Sequence, residues 1–148
     1  MNESRLTTEV TENTELIKNA NDLTEIVIGC AIEVHRALGQ GLLESAYEIC
    51  LCRGLSLRGI SFERQVAIPV EYKGVKLDCG YRADLIVGGK ILAEIRAVDQ
   101  LAPIHDAQLL SYLKLSGLKV ELLINFNERM LTHGVRRKVL GPPEEVSL

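Results

Sequence analysis

Between Tyr81 and Val98 the chain reads Tyr-Arg-Ala-Asp-Leu-Ile-Val-Gly-Gly-Lys-Ile-Leu-Ala-Glu-Ile-Arg-Ala-Val, two apolar runs of strand length on either side of a Gly88-Gly89 turn signal. That pattern predicts a β-hairpin. Each arm carries charge where a core strand has none: Asp84 stands among Ala83, Leu85, Ile86 and Val87, and Glu94 and Arg96 straddle Ile95. An acid inside such a strand is costly to bury unless it is paired or binds a metal.

Register decides whether the two acids meet. A two-residue Gly88-Gly89 turn pairs Val87 with Lys90 and sends Asp84 and Glu94 to opposite faces, because side chains alternate along a strand. A three-residue loop, Gly88-Gly89-Lys90, pairs Val87 with Ile91, sets Asp84 opposite Glu94 and puts Arg96 on that same face. Glycine at a left-handed loop position gives the chain access to this form, and it is the register expected. Two carboxylates about 4.5–5.5 Å apart at Cβ repel strongly. A divalent cation, Mg²⁺ or in its place Mn²⁺, removes the repulsion and activates water for phosphodiester hydrolysis. The plainer reading of the pair is a structural ion cluster with Arg82 and Arg96.

Downstream of the hairpin, Pro103 suits the first turn of a helix whose apolar side is Ile104, Ala107, Leu110 and Leu113, and Gly117 is its stop. Leu118–Phe126 is nearly continuous in apolar residues and reads as a buried strand. Residues 134–140 offer a short basic strand, with Arg136-Arg137-Lys138 as a solvated edge. Upstream, Phe62–Tyr72 alternates loosely around Pro69, which suits an edge position or a strand end and not a central strand. Lys73-Gly74 then turns into a long first hairpin arm, Val75–Val87, with a bend near Gly80. Two helices come before it, at about 22–38, opened by an Asp22/Glu25 capping pair, and at about 42–58, with Gly39-Gln40-Gly41 between them. Residues 1–20 are rich in Thr, Glu and Asn without sustained periodicity and read as a mobile tail. Residues 21–141 then form a single domain and 142–148 a polar C-terminal tail. The order helix, helix, three strands, helix, strand, with a further strand at 134–140, describes an α/β sheet covered by helices.

The chain has 148 residues, 47% of them hydrophobic and 25% charged, which is the profile of one ordinary globular domain. No run approaches the ~20 apolar residues of a membrane span, and the N-terminus lacks the basic-then-apolar order of a signal peptide, so a cytoplasmic setting away from membranes is expected. Cys30, Cys50, Cys52 and Cys79 show no metal-ligand spacing and read as reduced thiols behaving as small hydrophobes. His35, His105 and His133 show none either. The net charge of −3 gives no global basic field, so any nucleic-acid contact is local, and substrate choice calls for a homodimer or a protein partner.

Other residues can join the acid pair. Glu44 lies in the first turn of the second helix, three residues before Tyr47, and can supply a third acid; alone it reads as an N-terminal helix acid favoured by the dipole. Gln108 and Tyr112, at i and i+4 on the later helix, share a face from which they can orient water or touch a nucleic-acid strand.

Gly41-Leu42-Leu43-Glu44-Ser45-Ala46-Tyr47 resembles the signature of the bacterial G-x-x-E-x-x-Y protein family, assigned to the PD-(D/E)xK nuclease superfamily. The likeness extends through Asp78–Asp84, Glu94-Ile95-Arg96, Ala107–Leu113 and Leu123–Asn127, covering about residues 22–140. It implies a restriction-endonuclease-like α-β-β-β-α-β core with a mixed sheet, in which Asp84 and Glu94 bind metal and Glu44 supplies the helical acid. Gln108-x-x-x-Tyr112 is similar to the extra motif of the RecB-like nucleases. The family pattern is Glu-x-Lys, and Arg96 stands in the lysine position. An arginine can stabilise the charge of a pentavalent phosphate but stays protonated and bulkier. Two functions follow. One is a Mg²⁺-dependent nuclease with Glu44, Asp84 and Glu94 at the metal, Arg96 as transition-state cation, and Gln108 and Tyr112 alongside. The other is a binding or regulatory module that keeps the fold and cleaves poorly or not at all.

Overall fold

A computed structural model describes residues 5–78 and 80–141, with side chains from Asn19 onward. The expected C-terminal tail, 142–148, lies outside the described residues. The first helix, α1, runs Arg5–Leu38, so it starts well before the expected residue 22 and takes in most of the stretch read as a tail. No glycine or proline interrupts the chain from Arg5 to Ile28, and extending a helix costs far less than nucleating one. Asp22 and Glu25 are therefore helix-interior residues, not a capping pair. Helix α2 spans Glu44–Leu57.

Five strands form one sheet: β1 (Phe62–Ala67), β4 (Arg82–Val87), β5 (Ile91–Arg96), β6 (Val120–Asn125) and β7 (Val135–Val139), in the spatial order β1-β4-β5-β6-β7. The β5–β6 pair is parallel and the other pairs are antiparallel. Helix α3 (Pro103–Ser116) makes the crossover that a parallel pair requires. A two-stranded ribbon, β2 (Val70–Tyr72) with β3 (Val75–Leu77), stands apart. The long first arm expected at Val75–Val87 is thus two strands. The break falls where Gly80 takes φ +77° and donates its N–H to Asp78 Oδ1 at 3.0 Å, a local turn that competes with pairing. The stretch Phe62–Tyr72, read as one, divides at Pro69 into β1 and β2 of separate sheets, and β1 is an edge strand.

Among the described residues, three α-helices and the mixed five-stranded sheet make the α/β restriction-endonuclease-like architecture expected from the sequence. Helices α1 and α2 cover one sheet face: Val27, Ala31, Tyr47, Leu51 and Leu55 pack on Leu85, Val87, Ile95, Leu122, Ile124 and Phe126. Helix α3 covers the other, with Leu113 buried against Ala83 and Leu92 and with Tyr112, Leu115 and Ile86 around them. All six residues of β6 are buried, and burying one such Leu or Ile side chain contributes about 1.5–3 kcal/mol.

The hairpin adopts the three-residue loop. Leu85 pairs with Ala93, Ile86 with Leu92 and Val87 with Ile91, and Lys90 N–H donates to the Val87 carbonyl at 3.0 Å. Gly88 and Gly89 take φ +57° and +65°. A side chain at Gly88 would also meet Leu23 of α1, whose Cδ2 lies 2.7 Å from where its Cβ would stand. Loop and helix therefore hold each other in place.

Candidate functional site

Carried one pair further, that register sets Asp84 across from Glu94 on the α3 side of the sheet. The side chains confirm the approach. Asp84 Oδ2 accepts the Ile95 N–H at 2.8 Å, and the Asp84 N–H donates to Glu94 Oε1 at 3.4 Å. Arg96 joins them: its Nη1 donates to Asp84 Oδ2 at 3.2 Å, to Glu94 Oε2 at 3.3 Å and to the carbonyl oxygen of Ile95 at 2.9 Å. Glu94 lies deepest, its side chain 2% exposed, while those of Asp84 and Arg96 are each 21% exposed. Burial, first, and then the neighbouring Asp84 push the Glu94 carboxyl up to about 9, the Arg96 guanidinium offsetting only part of this. Glu94 accordingly holds a proton at neutral pH when the protein's own groups are its only company.

The strand that carries these donors is fixed where it leaves the sheet. Phe126 N–H donates to the Arg96 carbonyl at 2.8 Å. Asn125, fully buried, clasps Val98, accepting its N–H at 3.1 Å and donating to its carbonyl at 2.9 Å. Glu44, exposed in the first turn of α2, accepts the Ala97 N–H at 3.3 Å. It therefore stands one residue past Arg96 instead of on the acid pair. Among the described residues no three His, Cys, Asp or Glu side chains close on a single point. The structure thus brings Asp84, Glu94 and Arg96 together and leaves Glu44 at the rim.

Tyr112 reaches the same neighbourhood from α3. Its ring lies 5.2 Å from that of Tyr81, inclined by 48°, and its hydroxyl is pushed up first by burial and then by the nearby Glu94 carboxylate. Gln108, one turn earlier, is exposed. Tyr47, the last residue of the Gly41–Tyr47 motif, has a structural place: its ring stacks on Phe126 at 4.4 Å, and its hydroxyl accepts the Leu42 N–H at 3.1 Å and donates to the Gly39 carbonyl at 2.6 Å. That clamp holds the turn from which Glu44 starts. His105 likewise serves the fold, its Nδ1 accepting the Ala102 N–H at 2.9 Å at the head of α3.

One neighbour was not anticipated. Gln65 of β1 donates from Nε2 to Asp84 Oδ1 at 3.4 Å and to Glu48 Oε1 at 2.9 Å. Glu48 is buried and also receives Arg64 through Nη2 at 2.6 Å and Nε at 3.1 Å. Gln65 thereby ties a second acid of α2 to the site. The available sign was Glu48 itself, four residues after Glu44 and so on the same side of α2.

A family model described as the PD-(D/E)XK nuclease superfamily matches residues 21–138. No curated protein and no solved structure matches the chain.

Proposed function

Because this chain belongs to the PD-(D/E)XK nuclease superfamily, we propose that it is a divalent-metal-dependent nuclease that hydrolyses phosphodiester bonds of nucleic acid through Asp84 and Glu94. The observation that carries the reading is the convergence of a partly exposed carboxylate, Asp84, and a buried one, Glu94, on the α3 side of the sheet. The donor set fits a hard cation. Asp84 Oδ2, Glu94 Oε2 and the Ile95 carbonyl oxygen all lie within 3.3 Å of one atom, Arg96 Nη1, and carboxylate and carbonyl oxygens are what Mg²⁺ or Mn²⁺ takes. When bound, the cation supplies Lewis acidity at the phosphate and a more acidic water.

The chain's own residues do the rest. Asp84 and Glu94 would hold the cation, both as carboxylates. Arg96 offers positive charge to the phosphate oxygens as the pentavalent state forms. Glu44, at the Ala97 rim, orients the attacking water, and Tyr112 and Gln108 line the approach on the α3 side. Within the superfamily we place the chain in the G-x-x-E-x-x-Y family, on the Gly41–Tyr47 signature and the Tyr47 clamp. Cys30, Cys50 and Cys52 are free thiols, in keeping with a reducing, cytoplasmic setting. With a net charge of −3, substrate choice is assigned to a partner protein or a second copy.

The test is a cleavage panel of single-stranded DNA, duplex DNA and RNA with Mg²⁺ or Mn²⁺, run beside Asp84→Asn. Metal-dependent cleavage that falls by about a hundredfold or more in the variant is expected. Equal behaviour of the two proteins sinks the catalytic reading. A second reading, a nuclease fold that binds without cutting, is favoured by one observation, the Arg96 guanidinium bonded to both acids. It gains if Arg96→Lys creates a cleavage that the native chain lacks.

A further inference from the structure

Arg96 Nη1 serves more oxygens than it has hydrogens. Its three acceptors, Asp84 Oδ2, Glu94 Oε2 and Ile95 O, lie at 3.2, 3.3 and 2.9 Å. A guanidinium NH₂ has only two N–H bonds to offer, so three acceptors share two donors and the two carboxylate contacts are long for a charge-assisted bond. A divalent cation has no such limit, since it accepts six or more oxygens around one centre. The three atoms therefore form a seat for a cation that an arginine fills incompletely. Position also favours departure. Glu94 is sealed beneath, whereas the Arg96 side chain is 21% exposed and extends from the last residue of β5, so it can swing toward solvent without moving the strand.

We propose that Arg96 is a tethered cation occupying the seat of the divalent ion, so that ion binding is an exchange in which the guanidinium is expelled. The inference rests on the metal-dependent reading above and adds a role to Arg96. Before loading, the guanidinium keeps two adjacent acids paired and the hairpin intact. On loading, it is driven to the solvent side of the acids, which is where a phosphate approaches. Ion loading thus delivers the positive charge that the phosphate needs, and a site without its ion keeps that charge withdrawn. The exchange also weakens apparent affinity for the ion, because the seat must be vacated first.

The test reads ion binding, not cleavage. By calorimetry with Mn²⁺, Arg96→Gln should bind at least about tenfold more tightly than the native chain, the gain from a seat with no competing cation, and Asp84→Asn should not bind. Because Arg96→Gln strips the acid pair of its guanidinium and can unfold the chain, a second measurement uses the native protein. The ¹⁵N resonance of the Arg96 side chain, followed by NMR, should shift and its N–H should exchange faster with water as Mg²⁺ is added, with the midpoint that calorimetry gives. Equal Mn²⁺ affinity in native and Arg96→Gln chains, or an Arg96 resonance indifferent to Mg²⁺ that calorimetry shows bound, overturns the exchange and leaves the metal-centre reading standing. Absence of binding heat from both ions in the native chain and in folded Arg96→Gln overturns both.

Discussion

Gln65 lies in β1 across from Asp84, between the Arg64–Leu85 and Val66–Ala83 pairs, with its backbone at φ +50°. That left-handed conformation costs a non-glycine residue about 1–2 kcal/mol, and it persists here because the side chain is held at both ends, by Glu48 and by Asp84. The two contributions separate by substitution. Gln65→Gly relieves the backbone and loses the bonds, so its unfolding free energy in urea should stay within about 1 kcal/mol of native. Gln65→Ala keeps the strain and loses the bonds, and should fall by about 2–3 kcal/mol. An alanine variant as stable as the glycine one would show that the backbone stores no strain. Gln65 was invisible in the sequence because a polar residue in a loosely alternating strand carries no mark of its φ. The meeting of Asp84 and Glu94 was visible, because the Gly88-Gly89-Lys90 loop fixes register and register alone decides faces. The place of Glu44 at Ala97 was not, since it depends on where α2 docks against the end of β5.

Strands β5 and β6 each bring one buried acid to the α3 side. Glu121 pairs with Leu92 in the register, its Oε2 is without a hydrogen-bond partner among the described residues, and burial first, then Asp106, push its carboxyl up to about 7, against the pull of Lys138. Glu94 stands at about 9. Both groups are raised, so the folded chain holds protons that the unfolded chain releases in the ordinary carboxylate range near 4.5. The folded state binds more protons throughout that window, and stability must fall as pH rises. In the absence of divalent ions the urea midpoint is expected to decline from about pH 5 to about pH 9, with Glu94→Gln flattening the limb above about pH 7. A native midpoint that rises over this range would contradict a buried, protonated Glu94. At this scale the elements were largely legible: α3 with Pro103 and Gly117, β6, the edge strand β7 and the hairpin all follow from periodicity and turn residues. The start of α1 was not, because polar residues without periodicity do not reveal a helix that is extended from an already docked segment. The bend of the long first arm near Gly80 was legible, but not that it divides the arm into two strands, for a similarly local reason, a turn closed by the Asp78 carboxylate.

The whole molecule carries a net charge of −3 and leaves Asp84 partly exposed, so a phosphate chain approaching the acid pair would meet repulsion unless the acids are neutralised. Nucleic-acid binding should therefore depend on a divalent ion even where no cutting occurs. With Ca²⁺, whose oxygen-ligand preferences resemble those of Mg²⁺ while its looser geometry commonly slows the chemistry, fluorescence anisotropy of a labelled single strand should report binding at least about tenfold tighter than in EDTA. Equal binding in the two conditions would point to a contact surface elsewhere on the molecule. A sheet covered by helices was legible from the order of the elements, whereas the faces they take, α1 and α2 on one and α3 on the other, and the docking of α2 that sets the rim were not. No helix of the described residues is long and apolar enough to cross a membrane.

The three-residue loop at Gly88–Lys90 has an evolutionary consequence. The same alternation that turns Asp84, Glu94 and Arg96 toward α3 turns Leu85, Val87 and Ile95 into the packing beneath α1 and α2. A one-residue slip in pairing would therefore bare the core and turn the acids away in the same step. Selection on packing alone thus preserves the pairing of Val87 with Ile91, and the meeting of Asp84 with Glu94 is inherited with it, whatever side chain stands at position 96.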